Sequence, residues 1–157
     1  YIKKKIMKLL LCTNSKNTTP ITFTSSTNFK AVFNRVIKLP AYTQICVLSS
    51  VSTDAQQPKL HYVNITNLPV QSLSGNSEKG NTTTKIGYII SSDGKGSENH
   101  LKNWIDLNNT TDMTITDLDI LLTNEDNEES SGFTNSTEIL LGYRQDPSRR
   151  GTTEYFK

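Results

Sequence analysis

From Leu118 onward the apolar residues fall on every second position. Leu118, Ile120 and Leu122 share one side of an extended chain, and Asp117, Asp119 and Thr123 take the other. A helix would scatter these positions around its axis, whereas a strand gathers them onto one face. Met113 and Ile115 lead into the series. A polar run from Asn124 to Ser136, with Gly132 inside it, follows. Beyond it Ile139, Leu141 and Tyr143 alternate against Leu140 and Gly142. Two such runs joined by a polar loop predict an antiparallel hairpin with one face in a core.

The same pattern recurs along the chain. Ile21 and Phe23 alternate with Thr after Pro20, and Ala31 to Leu39 forms a second strand that stops at Pro40, which cannot donate to a ladder. Thr43 to Val51 is a third, with Ile45, Val47 and Val51 on one face and Cys46 and Leu48 on the other. Apolar residues on both sides predict burial on both faces, or coverage by a neighbouring subunit. Leu60 to Thr66, Lys85 to Ile90 and Leu101 to Leu107 follow, and the opening pair completes eight. Between them lie loops rich in Ser, Gly and Asn, the longest from Val70 to Thr84. Eight short strands with no long helical pattern predict an all-β fold: an eight-stranded antiparallel β-sandwich, with a single jelly roll as its eight-strand form. The expected organisation is a basic arm over residues 1–19, the sandwich over 20–145 and a basic tail over 146–157.

A chain of 157 residues suits one domain. Its formal charge of +2 is too small for nucleic-acid binding by the whole surface. The charge is uneven, however. Lys3, Lys4, Lys5 and Lys8 crowd the start, Arg144, Arg149 and Arg150 the end, and Glu125, Asp126, Glu128 and Glu129 one loop. A basic terminus neutralises phosphate or simply aids solubility. The first residues superficially resemble a signal peptide, but Lys8 interrupts the apolar part and no convincing cleavage site follows, so secretion is not expected. No stretch approaches the ~20 apolar residues of a membrane span. Of the two cysteines, Cys46 reads as a buried thiol, with a disulfide to Cys12 as the alternative.

Chemistry is hard to find. His61 and His100 have no neighbours at zinc-ligand spacing, and no nucleophile elbow or Cys-His arrangement is present. Asp93-Gly94 in SDGKGS reads as a turn, because the preceding glycine of a phosphate loop is missing. Asp117, Asp119 and the acidic loop could offer oxygens to Ca²⁺, but the EF-hand pattern is absent and solvated acids are the simpler reading. Asn-x-Ser/Thr sites occur at Asn17, Asn64, Asn81, Asn108, Asn109 and Asn135, as chance allows in a chain this rich in those residues. Trp104 and Tyr88 could stack a sugar, though aromatic residues in strands are more often core. No catalytic residue, metal ligand or cofactor site is expected.

Several segments occur in a telling order: ITFTSSTNFKAVFNRVIKLPAYTQICVLSSVS, YVNITNLPVQSLSG, KIGYII, NWIDLNNTTDMTITDLDILLTNEDN and STEILLGYR. The most specific are Asn67-Leu68-Pro69-Val70-Gln71-Ser72 and Ile105-Asp106-Leu107-Asn108-Asn109. In these segments, over roughly residues 20 to 145, the chain resembles the single jelly-roll minor capsid proteins, penton type, of virophages and Polinton-like double-stranded DNA viruses. The resemblance implies a non-enzymatic virion protein, assembled inside the host cell, that forms homopentamers at icosahedral vertices beside a hexon-like major capsid protein. Subunit contacts are then expected at Ile45, Cys46, Val47 and Leu48 of the third strand, or at Leu68, Pro69 and Val70. Lys3, Lys4, Lys5 and Lys8 would form an arm turned inward, toward genome DNA or internal capsid proteins. The alternative function is a carbohydrate- or receptor-binding sandwich, such as a fibre head or lectin-like module.

Overall fold

The computed structural model describes residues 6–12, 21–23, 27–52, 59–70, 72–73, 82–91, 96–98, 102–130 and 137–149. Among them there is no helix, hence none long and apolar enough to cross a membrane. The strands are β1 (Met7–Cys12), β2 (Ile21–Phe23), β3 (Asn28–Leu39), β4 (Thr43–Ser52), β5 (Lys59–Ile65) and β6 (Ser72–Leu73). They continue as β7 (Thr82–Thr83), β8 (Lys85–Ser91), β9 (Gly96–Glu98), β10 (Ile105–Asp106), β11 (Met113–Thr123) and β12 (Thr137–Gln145). Each of the eight expected strands is represented, and β1, β6, β7 and β9 are additional.

Ten of these strands form an antiparallel two-sheet sandwich, and β6 and β7 pair with each other in a separate two-stranded sheet. One sheet runs β1-β12-β4-β10, and β9 also pairs with β4; the other runs β2-β3-β11-β5-β8. β12 occupies one edge of β4 along its length, so β10 at Gln44–Ile45 and β9 at Ser49–Val51 share the opposite edge as two pieces of one interrupted strand. The pairings are nested: β1 with β12, β3 with β11, β4 with β9 and β10, and β5 with β8. The ladders of β12 with β4 and β11 with β5 join the nested pairs into sheets.

Alternation fills the space between the sheets. Ile45, Val47, Ile139, Leu141 and Tyr143 come from one side; Phe29, Val63, Ile65, Leu118, Ile120 and Leu122 from the other, all in one buried cluster. Each such side chain contributes roughly 1.5–3 kcal/mol when fully buried. The shift of phase between Ile115 and Leu118 is a β-bulge. Ile115 pairs with Ile37 but Asp117 with Val32, so residues 33–36 of β3 stand against Thr116 alone. The sheets close on one another where β8 meets β4. A Cβ on Gly87 would lie 2.9 Å from Cγ2 of Val47, and only glycine permits that approach.

Two expectations need correcting. β11 and β12 are not a hairpin: β11 pairs with β3 and β5, and β12 with β1 and β4. Their apolar faces confront each other across the core, and period-two spacing describes that arrangement as well as it describes adjacent strands. Residues 7–12, part of the expected basic arm over 1–19, are the edge strand β1, in register from Met7 with Tyr143 to Cys12 with Glu138. The expected tail begins with an ordered turn, in which the Arg149 amide donates to the Asp146 carbonyl and the Asp146 amide to that of Tyr42.

Candidate assembly surfaces

The residues expected at subunit contacts divide between interior and surface. Ile45 and Val47 are in the core. Cys46 is wholly buried on the opposite face of β4. It stands opposite Gly142 in the ladder, and Leu48, half-buried, lies across that glycine, where a Cβ would meet its side chain at 3.0–3.2 Å. A backbone hydrogen bond from Gly142 reaches the Cys46 thiol, which burial nevertheless pushes up to about 11. Leu68 and Val70 belong to the core cluster, while Pro69 is exposed. The doubly apolar character of this strand and turn is therefore largely satisfied within the chain. Leu48 and Pro69 alone of the seven reach the surface. Of the arm lysines, Lys8 is exposed, and Lys3, Lys4 and Lys5 lie outside the described residues.

The two motif segments act as staples at turns. Asn67 extends the β5 side of the sheet with its side chain. Its Nδ2 donates to the carbonyl and carboxylate of Asp117, and its Oδ1 accepts from the Asp119 amide at 2.9 Å. The Val70 amide then closes back on the Leu68 carbonyl at 2.8 Å, around Pro69, turning Leu68 and Val70 into the core. Asn109 does the equivalent for the turn between β3 and β4. Its Oδ1 accepts from the Thr43 amide at 2.9 Å, and its Nδ2 donates to the carbonyls of Pro40 (2.7 Å) and Thr111 (3.1 Å).

Tyr42 and Asn108, both at left-handed φ (58° and 56°), border a cleft of about 170 Å³ beside this turn, together with Asp106, Asp146 and Arg149. The Arg149 guanidinium lies 5.0 Å from the centre of the Tyr42 ring. Both carboxylates already accept hydrogen bonds, Asp106 from Gln44 and Asp146 from the amide and hydroxyl of Ser148. Beside the cleft, Arg144 donates to Gln44 and stacks 4.0 Å above the Trp104 ring, covering one face of it.

Elsewhere the charged groups pair locally. Lys30 reaches Asp117 at 3.3 Å and Asp119 at 3.1 Å. The Thr116 hydroxyl and Lys30 hold Asp117 below the usual carboxylate range, against a burial effect that raises it. Glu125, Asp126, Glu128 and Glu129 are exposed on a closed turn in which Asn124 Oδ1 accepts from the amides of Asp126 and Glu128. The end of that turn is held to the sheet. The Ser130 amide donates to the Leu122 carbonyl, and the Ser130 hydroxyl is 2.9 Å from Nδ1 of buried His61. Among the described residues no three His, Cys, Asp or Glu gather as metal ligands.

Sequence reasoning missed the strained turn at Tyr42 and the surface bulge of β3. Pro40 between two strand runs signals the first, and the lost phase between Ile115 and Leu118 signals the second. No family model and no curated protein matches the chain.

Proposed function

We propose that the protein is a non-catalytic capsid component: a single jelly roll of the penton type that assembles as a homopentamer beside a major capsid protein in the virion. The observation that carries this reading is the nested strand order. Leaving aside the short β2, β6 and β7 and counting β9 and β10 as one, the eight strand positions pair first with eighth, second with seventh, third with sixth and fourth with fifth. A long antiparallel ladder rolled up in this way is what a jelly roll requires, and the ordered segments that resemble penton-type proteins fall on these strands and turns. A two-sheet sandwich suits a tile whose work is contact, and a ring of tiles needs a heterologous interface whose rotation closes.

The basic residues ahead of β1 keep their proposed role as an inward contact to genome DNA or internal capsid proteins. The alternative, a carbohydrate-binding module, is weakened at Trp104, where the Arg144 guanidinium occupies a face that a sugar would need.

The test is the native mass of residues 1–157 by light scattering, followed by electron microscopy of the oligomer. Closed five-fold rings support the reading. A trimer, or a monomer persisting at millimolar concentration, overturns it.

A further inference from the structure

Three cations share the outer face of the first sheet. Residues paired in an antiparallel ladder lie on one face. Lys8, Gly142 and Cys46 stand in one row across β1, β12 and β4, turned away from the core, and Arg144, Gln44 and Asp106 form the next. Trp104 directly precedes Ile105, which pairs with Ile45, and so falls beside Cys46. Arg144 reaches across to the Trp104 ring and is held by Gln44, which accepts from its Nε and donates to Asp106. Lys102 is exposed two residues ahead of Trp104, and its charge, like that of Arg144, reaches the Cys46 thiol. Of the acids on this face, Asp106 accepts from Gln44, and Glu138 lies at the other end of β12.

Three carboxylates stand on the turn after β11. Glu125, Asp126 and Glu128 are exposed, and Asn124 holds the backbone beneath them. Its Oδ1 accepts from the amides of Asp126 and Glu128, and its own amide donates to the Glu128 carbonyl. The base of the turn is tied to the second sheet, by the Ser130 amide on the Leu122 carbonyl and the Thr27 hydroxyl on the Glu129 carboxylate. Within one molecule the turn therefore stays off the outer face of the first sheet. Among the described residues, no ion pair engages these three cations or these three carboxylates.

We infer that the 124–128 turn of a second copy of this chain docks on the outer face of the first sheet, with Glu125, Asp126 and Glu128 meeting Lys8, Lys102 and Arg144. Three carboxylates on a fixed backbone answer three cations, a complementarity that selects the partner and its orientation. Both surfaces are ordered beforehand, Arg144 by the Trp104 stack and the turn by Asn124, so little freedom is lost on docking. The contact joins two different surfaces and is heterologous. It does not depend on the capsomer reading. Nucleic-acid phosphates are the competing occupant of the same cations.

The experiment exchanges the charges. Lys8→Glu with Lys102→Glu reverses the face, and Glu125→Lys with Glu128→Lys reverses the turn; Arg144, which also packs on Trp104, is left in place. Circular dichroism checks that each variant is folded, and light scattering at low salt reads the mass. The wild type should associate, and do so more weakly by about tenfold or more when salt rises from about 50 to 500 mM. Each variant alone should stay at the single-chain mass of 17.6 kDa, because like charges then face each other. An equal mixture of the two should regain the wild-type association, because each reversed surface meets its complement. A wild type that is monomeric at low salt overturns the inference, as do variants that associate like the wild type or a mixture that stays monomeric. A DNA oligonucleotide that binds a monomeric wild type, and is released by Lys8→Glu with Lys102→Glu, assigns the face to nucleic acid instead. Rings that persist in both variants overturn the inference and leave the capsomer reading in place.

Discussion

Replacing Asn109 with alanine should cost far more than its position in a polar loop suggests. Asn109 is only 9% exposed, and its side chain makes three hydrogen bonds to backbone groups. These losses are unequal. The Thr43 amide is fully buried and would be left without its acceptor, which costs about 1–3 kcal/mol. The Pro40 carbonyl still accepts from the Thr43 hydroxyl at 2.6 Å, and Thr111 is exposed so that water can replace its partner; together these add about 1 kcal/mol. The total is about 2–4 kcal/mol, or a Tm lower by roughly 5–15 °C in a chain of this size. Urea unfolding at one fixed protein concentration reads it as a lower midpoint at constant slope. Asn108→Gly is the control. Asn108 is exposed and has φ 56°, so glycine relieves a left-handed conformation while loosening the unfolded chain, and stability should move by less than about 0.5 kcal/mol. An Asn109→Ala loss below about 1 kcal/mol, or one no larger than that of Asn108→Gly, would refute the assignment of Asn109 as the staple.

Gly87→Ala should destabilise by about 1–3 kcal/mol, since the new methyl would lie 2.9 Å from Cγ2 of Val47. Adding Val47→Ala should recover part of that loss, and a double-mutant cycle that shows simple additivity would mean the sheets do not touch there. In a Cys12→Ser background, the Cys46 thiol, pushed up to about 11 and fully buried, should react with a disulfide reagent at pH 8 only as fast as the protein unfolds. Rapid labelling of the native protein would contradict its burial.

Faces were legible in the sequence and neighbours were not. Leu118, Ile120, Leu122, Ile139 and Leu141 are buried as their alternation predicts, because burial on one face of a strand is a local property with a period of two. Pairing is not local. The same alternation suits β11 and β12 as a hairpin or as strands facing each other across the core, and only the competition of β3, β5, β4 and β1 for their edges decides between the two. The contact residues failed for a related reason. Ile45, Val47, Leu68 and Val70 look spare when β4 and its surroundings are read alone, yet the opposite sheet consumes them. Val36 was the reverse case. It lies within an apolar strand pattern, and the bulge, visible only in the ladder with β11, turns it to the surface.

The residues that carry the family resemblance and the residues suited to assembly are different sets. Asn67 replaces a missing stretch of ladder beside Asp117 and Asp119, and Asn109 holds the turn that Tyr42 strains. Both are committed to backbone groups of their own chain, as side-chain amides with two donors and an acceptor are suited to be. A β-sandwich needs such staples where a strand ends and the chain turns away, whatever the finished protein then binds. In the proposed capsomer, assembly is specified elsewhere, on flanks where a side chain can change without unfolding the subunit. Lys8, Lys102, Glu125 and Glu128 meet that condition, since each is exposed. Changes at the staples should therefore reach assembly only through stability, and changes on the flanks should reach it directly at unchanged stability.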